Sequence, residues 1–93
     1  MDMKIEFDPE KNRANINKHG VSFAEAKIFD FDNSVIAEDE RREYGETRYI
    51  ALGILRYRLH VIVFTLIKDG IRVISLRKAN SREVKRYEQA FDR

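Results

Sequence analysis

The sequence predicts an α+β domain in which helices pack on a small antiparallel sheet in the order βααββββα. Two observations carry this. Helix-start signals sit towards the ends of the chain, at Asp8-Pro9, at Ser22 to Glu25 and at Asn80 to Glu83. Between the second and third lie four short runs rich in β-branched and aliphatic residues, and two of the joins between runs are too brief for anything but tight turns.

Taken in order, Lys4 to Phe7 alternates polar with apolar, which places Ile5 and Phe7 on one face of a short strand. Asp8 can accept from orphan amides and Pro9 brings a helical φ, so a helix should run from about Pro9 to Lys18. His19-Gly20 then supplies a polar or cationic last turn and a residue that tolerates left-handed φ. Ser22 and Glu25 have capping-box spacing, with Val21 and Ala26 placed to form the accompanying staple. Phe23, Ala26 and Phe29 recur at every third position, which predicts a second helix closed by Asp30 to Asn33.

The strands follow at Ser34 to Glu38, Thr47 to Leu55, Leu59 to Leu66 and Ile71 to Lys78. Arg56 to Arg58 reads as a hairpin connection, and Lys68-Asp69-Gly70 offers a left-handed glycine to the next turn. Leu59 to Leu66 is apolar on both parities, as is much of Ile71 to Leu76, so these strands should be central and covered on both faces. By alternation Ile71, Val73, Ser75 and Arg77 share one face of their strand, and Arg72, Ile74, Leu76 and Lys78 share the other. Past the Asn80 cap, Val84, Tyr87 and Phe91 recur at i, i+3 and i+7, which predicts a final amphipathic helix.

Ninety-three residues, 43% hydrophobic and 37% charged, fit a single domain spanning 1–93 and exclude collagenous, low-complexity and fully disordered classes. The longest apolar stretch, Leu59 to Ile67, is interrupted by His60 and falls well short of the about 20 residues that cross a bilayer. The first eight residues lack the basic start and apolar stretch of a secretory signal, so the expected compartment is the cytoplasm, with no membrane partner. Without cysteine there is no disulfide, thiol nucleophile or thiolate metal site. No phosphate-cradling glycine loop, Gly-x-Ser-x-Gly or His-Glu-x-x-His occurs, and the two histidines are far apart, so neither a metal nor another cofactor is expected.

Charge is distributed unevenly. Residues 1–40 carry five Lys/Arg against ten Asp/Glu, and residues 41–93 carry thirteen against six. The second part can attract a polyanion by counterion release, provided folding does not interleave the two sets. Its cations are Arg48 at a strand start, Arg72, Arg77 and Lys78 on the last strand, and Arg82, Lys85 and Arg86 on the final helix. An arginine at the rim of an apolar surface can hold phosphate bidentately; the alternative is a salt-bridged or snorkelling side chain. Glu38 to Glu46 is charged and without periodicity, and reads as a solvated loop.

The order of residues resembles the BrnT toxin family over nearly the whole chain. The N-terminal pieces that carry the resemblance are Phe7-Asp8, Lys11, Asn15, the run Lys18-His19-Gly20-Val21-Ser22-Phe23, Glu25-Ala26, Phe29 and Asp32. Gly45-Glu46, Arg48, Gly53, Leu59, Val61, Val63 and Thr65 continue it, and Ile71 to Ser75, Arg77, Ala79, Glu83 and Tyr87 complete it. Two positions depart from the pattern: Glu6 stands where the family commonly has an aromatic, and Leu76 where it has a small residue.

The resemblance implies a RelE-like fold and a metal-independent bacterial endoribonuclease that arrests translation. It further implies neutralisation by a BrnA-type antitoxin with a ribbon-helix-helix DNA-binding domain, so that operator DNA is reached only through that partner. RNA cleavage without metal needs a proton acceptor for the 2′-hydroxyl, cationic support for the pentavalent dianion and a proton for the leaving oxygen. On this reading Arg48 and Arg77 hold the reacting phosphate, and Lys18, Arg72, Lys78, Arg82 and Tyr87 extend the RNA-binding track. Proton transfer falls to Glu46, His19 or Tyr87. Glu46 is equally placed to pair with Arg48, and His19 to cap its helix. Tyr44, Tyr49 and Tyr57 have the chemistry to stack on bases, or to serve as ordinary amphipathic residues.

Overall fold

The computed structural model describes residues 3–91. Strand β1 (Lys4–Glu6) leads into helix α1 (Pro9–His19), a 3-10 helix (Phe23–Ile28), strands β2 (Val35–Glu38), β3 (Tyr49–Leu55), β4 (Arg58–Ile67) and β5 (Gly70–Lys78), and helix α2 (Ser81–Phe91). The five strands form one sheet in the order β1-β5-β4-β3-β2. No helix among the described residues is long and apolar enough to cross a membrane.

The fold is α+β, with three corrections to the expected pattern. First, the sheet is mixed: β2 to β5 form the antiparallel meander, but β1 adds to β5 in parallel, Ile5 opposite Ile71. Alternation in a short strand reports which side chains face the core and carries no information on the direction of the partner. Second, only one N-terminal helix is α. The Ser22–Glu25 capping box forms as expected, but the turn it starts is a six-residue 3-10 helix. Apolar residues at strict threes match three residues per turn, so Phe23 and Ala26 are both buried in that geometry.

The third correction concerns parity. Val63 pairs with Ser75, but Phe64 pairs with Val73, so β5 carries one extra residue, Ile74, at a bulge. A one-residue slip moves everything beyond it to the other face. Ile71, Val73 and Leu76 therefore join the main core, whereas Arg77 and Arg72, opposite Val61 and Thr65, project from the same face of the sheet.

The main core lies on one face, where Val21, Phe23, Ala26 and Phe29 cover Ala51, Ile62, Phe64 and Val73. On the other face α2 sets Val84 and Tyr87 against Leu52, Leu59 and Val61. With both faces covered there, β4 is buried at every residue from Leu59 to Thr65. Past Arg72, β1 no longer pairs with β5, and the buried side chain of Asn15 takes its place. Asn15 Nδ2 donates to the carbonyls of Leu76 at 2.7 Å and Val21 at 3.0 Å, and Leu76 N–H donates to Asn15 Oδ1 at 3.4 Å. These bonds fix α1 to the strand segment just before Arg77.

Both hairpin connections form where expected, but glycine supplies the left-handed backbone in neither. Gly70 is not the left-handed residue of its turn; Asp69 is, at φ 65°. Glycine is needed at 70 because β1 runs so close that a Cβ would meet the backbone of Lys4. In the two-residue β3–β4 hairpin, Arg56 and Tyr57 both adopt positive φ, 49° and 70°, without a glycine to ease it. Tyr57 is fully exposed, so Tyr57→Gly removes strain and no packing. We expect a gain of about 0.5–1 kcal/mol and a melting temperature higher by roughly 2–6 °C, read by thermal denaturation; an unchanged or lower value refutes the strain.

Candidate functional site

A cleft of about 330 Å³ opens on the α2 face of the sheet. Its floor is Ile50 and Leu52 of β3, Val61 and Val63 of β4, and Ile74 and Ser75 at the bulge. One wall is α2, through Glu83 and Arg86; the other is the segment after β2, through Asp39, Arg41 and Tyr44. Arg48 and Arg77 complete the lining. Four arginines against two carboxylates leave the lining with a net positive charge. A larger and more open concavity lies next to it, but residues 38–47 alone line it, with carboxylates prominent among them.

The cleft wall is the exposed, irregular loop expected, except that it closes around one buried carboxylate, Asp39. Asp39 Oδ1 and Oδ2 accept from Arg41 Nε and Nη2, both at 2.8 Å, and Tyr44 Oη donates to Oδ2 at 2.9 Å. The Asp39 carboxylate is almost wholly enclosed, and the Arg41 guanidinium holds its pKa well below the usual carboxylate range. Asp39 N–H donates to the carbonyl of Arg48 at 2.7 Å, and the Arg48 guanidinium stacks on the Tyr44 ring, 4.1 Å from its centroid. The loop and the first cleft arginine thus support each other.

Donor by donor, the arginines differ in what they have left to offer. Arg77 gives Nη1 and Nη2 to the two oxygens of Glu83, each at 2.9 Å, and Nη1 also reaches the carbonyl of Lys78 at 3.3 Å. Its Nε–H and second Nη2–H have no partner among the described residues. Glu83 is fixed at the same time by α2's capping box, accepting from Asn80 N–H at 2.9 Å while its own N–H donates to Asn80 Oδ1. The Arg77 guanidinium holds the Glu83 carboxyl below its ordinary value, and Glu83 raises the pKa of Arg77. Arg48 commits Nε to Glu46 Oε2 at 3.1 Å, leaving both its Nη groups. A guanidinium with a free edge can take a phosphate oxygen pair in a fork.

Of the residues singled out from sequence, then, the structure brings Arg48 and Arg77 into one cleft. Glu46 adjoins it through its pair with Arg48 but lines the outer concavity. Lys18 and His19 occupy the last turn of α1 and do not line the cleft. Arg72 lies on the cleft face but towards β1, where it pairs with Glu6, one of the two positions that depart from the expected pattern. Lys78, opposite His60, follows Leu76 to the other face. Arg82 is exposed on α2 outside the lining, and Tyr87 packs under α2 with its hydroxyl donating to the carbonyl of Asn33 at 2.8 Å. Sequence reading passed over Asp39, Arg41 and Glu83 as components of the site. The Asn80–Glu83 cap signal was legible, but its second use, on Arg77, was not. Among the described residues no group of three or more His, Asp or Glu side chains is placed to hold a metal ion.

Sheet, covering layers and cleft define a small α+β protein with an arginine-lined recess of the chemistry that holds a phosphate ester. Residues 7–83 match the family described as the ribonuclease toxin BrnT of type II toxin-antitoxin systems, and the chain belongs to that family. Among solved structures it is similar to the ribonuclease toxin BrnT of Brucella abortus, at 27% identity and a TM-score of 0.69, over 85% of this chain and 99% of that one. No curated protein matches it. Membership makes this chain a toxin-family protein of a type II system, a class defined by a partner antitoxin and, for BrnT, by ribonuclease action.

Proposed function

We propose that this protein is a metal-independent endoribonuclease that arrests translation and is neutralised by a BrnA-type antitoxin carrying a ribbon-helix-helix domain. The observation that carries this reading is the pairing of Arg48 and Arg77 in one positively charged cleft, each with guanidinium donors still free. Those donors support the charge that grows on the phosphoryl oxygens as the 2′-oxygen attacks phosphorus. The 2′-O–P bond forms, the P–O5′ bond breaks, the 2′-hydroxyl proton passes to Glu46 and O5′ takes a proton from solvent. The products are a 2′,3′-cyclic phosphate and a 5′-hydroxyl. The antitoxin acts by covering the same cations.

A second reading, RNA binding without cleavage, is favoured by one feature. Both carboxylates lining the cleft are held ionised by arginine partners and are correspondingly weak bases. One experiment separates the two: purified protein incubated with cellular RNA in EDTA, with 5′ ends mapped. New 5′-hydroxyl ends are expected, and slower cleavage once the antitoxin is added. Salt-sensitive RNA retention without new ends would establish the second reading.

A further inference from the structure

Arg86 has a role that its family resemblance does not supply. It projects from α2 into the cleft wall one turn after Glu83, and it is the one lining arginine without a hydrogen bond or ion pair among the described residues. Arg41 is committed to Asp39, Arg48 to Glu46 and Arg77 to Glu83. Glu83, the carboxylate nearest to Arg86 along the cleft side of the helix, already accepts from Arg77 and Asn80, although Arg86 is close enough to add to the stabilisation of its charge. A fourth guanidinium brought beside three others raises the local positive potential, a cost that a bound anion removes.

We infer that Arg86 is a phosphate-binding residue of the cleft, taking an RNA backbone phosphate adjoining the one held by Arg48 and Arg77. This rests on the nuclease reading for the identity of the polyanion. The bulge gives the inference its geometry. By placing Arg77 on the α2 face, it brings a strand guanidinium and a helix guanidinium into the same cleft lining, together with Glu83. All five N–H donors of Arg86 are available, so it adds affinity without first breaking a pair.

The test compares Arg86→Ala and Arg86→Lys with Lys85→Ala, which removes the same charge from the neighbouring position outside the cleft lining. Both positions are exposed helix surface, and circular dichroism verifies the fold of all three variants. Cleavage of a short RNA is measured across salt concentrations, together with binding of its 2′-O-methyl form, which cannot be cut. Arg86→Ala is expected to raise KM and the Kd for uncut RNA about tenfold and to lower the log–log salt slope by about 0.7; Arg86→Lys should keep the slope with weaker affinity, and Lys85→Ala should change neither. Equal behaviour of Arg86→Ala and Lys85→Ala overturns the assignment. Absence of cleavage by the unaltered protein would defeat the nuclease reading alone, because the 2′-O-methyl arm still decides Arg86; absence of binding as well defeats both.

Discussion

Arg77→Ala is expected to slow RNA cleavage by a factor on the order of 10² to 10³, the usual loss when one preorganised donor to a developing oxyanion is removed. The loss should fall on kcat more than on KM, since the free Nε and Nη2 hydrogens meet charge that is largest in the transition state. A confounding effect is built into the site. Removing Arg77 strands the Glu83 carboxylate, which is only 15% exposed, at the start of α2. The double variant Arg77→Ala/Glu83→Gln removes both charges while keeping an acceptor for Asn80 N–H, and should recover much of any lost stability while staying inactive. Glu83→Gln keeps an acceptor for the cap and should lose activity to a smaller extent, through a less firmly aimed Arg77. Full cleavage by folded Arg77→Ala would take the residue out of the mechanism. The same measurement on Arg48→Ala should show a comparable loss, because Arg48 lines the cleft with both its Nη groups uncommitted.

That Arg48 and Arg77 meet was legible from the family motifs, yet the geometry that brings them together was not. Alternation put Arg72 and Arg77 on opposite faces, and a single extra residue at Ile74 reverses this. A bulge is a property of two strands in register, so the sequence of β5 alone does not contain it. The same limit explains Gly70, where the deciding atom belongs to Lys4, far off along the chain. Local signals fared better: the Asp8, Ser22 and Asn80 caps and the left-handed Gly20 all form where propensity places them. The 3-10 helix lies between these cases, since its repeat of three was visible and was assigned to the commoner helix. Loop 38–46 is the irregular, mostly exposed segment expected, and only Asp39 departs from that reading. A run of charges reads as solvated unless one of them is known to be buried, and Asp39 is buried only because Arg41 and Tyr44 turn back on it.

The Asp39 clasp yields the strongest prediction for stability and pH. In the unfolded chain this carboxyl takes up a proton near its ordinary value of 3.8, whereas in the folded protein Arg41 delays protonation to far lower pH. Between those limits the unfolded state holds more protons, so stability rises with pH; its contribution is complete above about pH 5 and is lost progressively as pH falls through 4. Glu25, held low by Arg56, and Glu83, held low by Arg77, act in the same direction. Asp39→Asn should therefore lower the melting temperature at neutral pH, at a cost of about 2 kcal/mol for the lost charged hydrogen bonds, and flatten its decline below pH 5 without abolishing it. The effect on cleavage should exceed what unfolding accounts for. Without the clasp, neither the bond from Asp39 N–H to the Arg48 carbonyl nor the Tyr44 ring beneath Arg48 keeps its place, so kcat/KM at a temperature where the variant is folded should fall roughly tenfold. An Asp39→Asn protein that melts along the unaltered pH curve would show that the clasp carries no net stability. One that melts earlier yet cleaves normally would show that Arg48 is positioned by β3 alone.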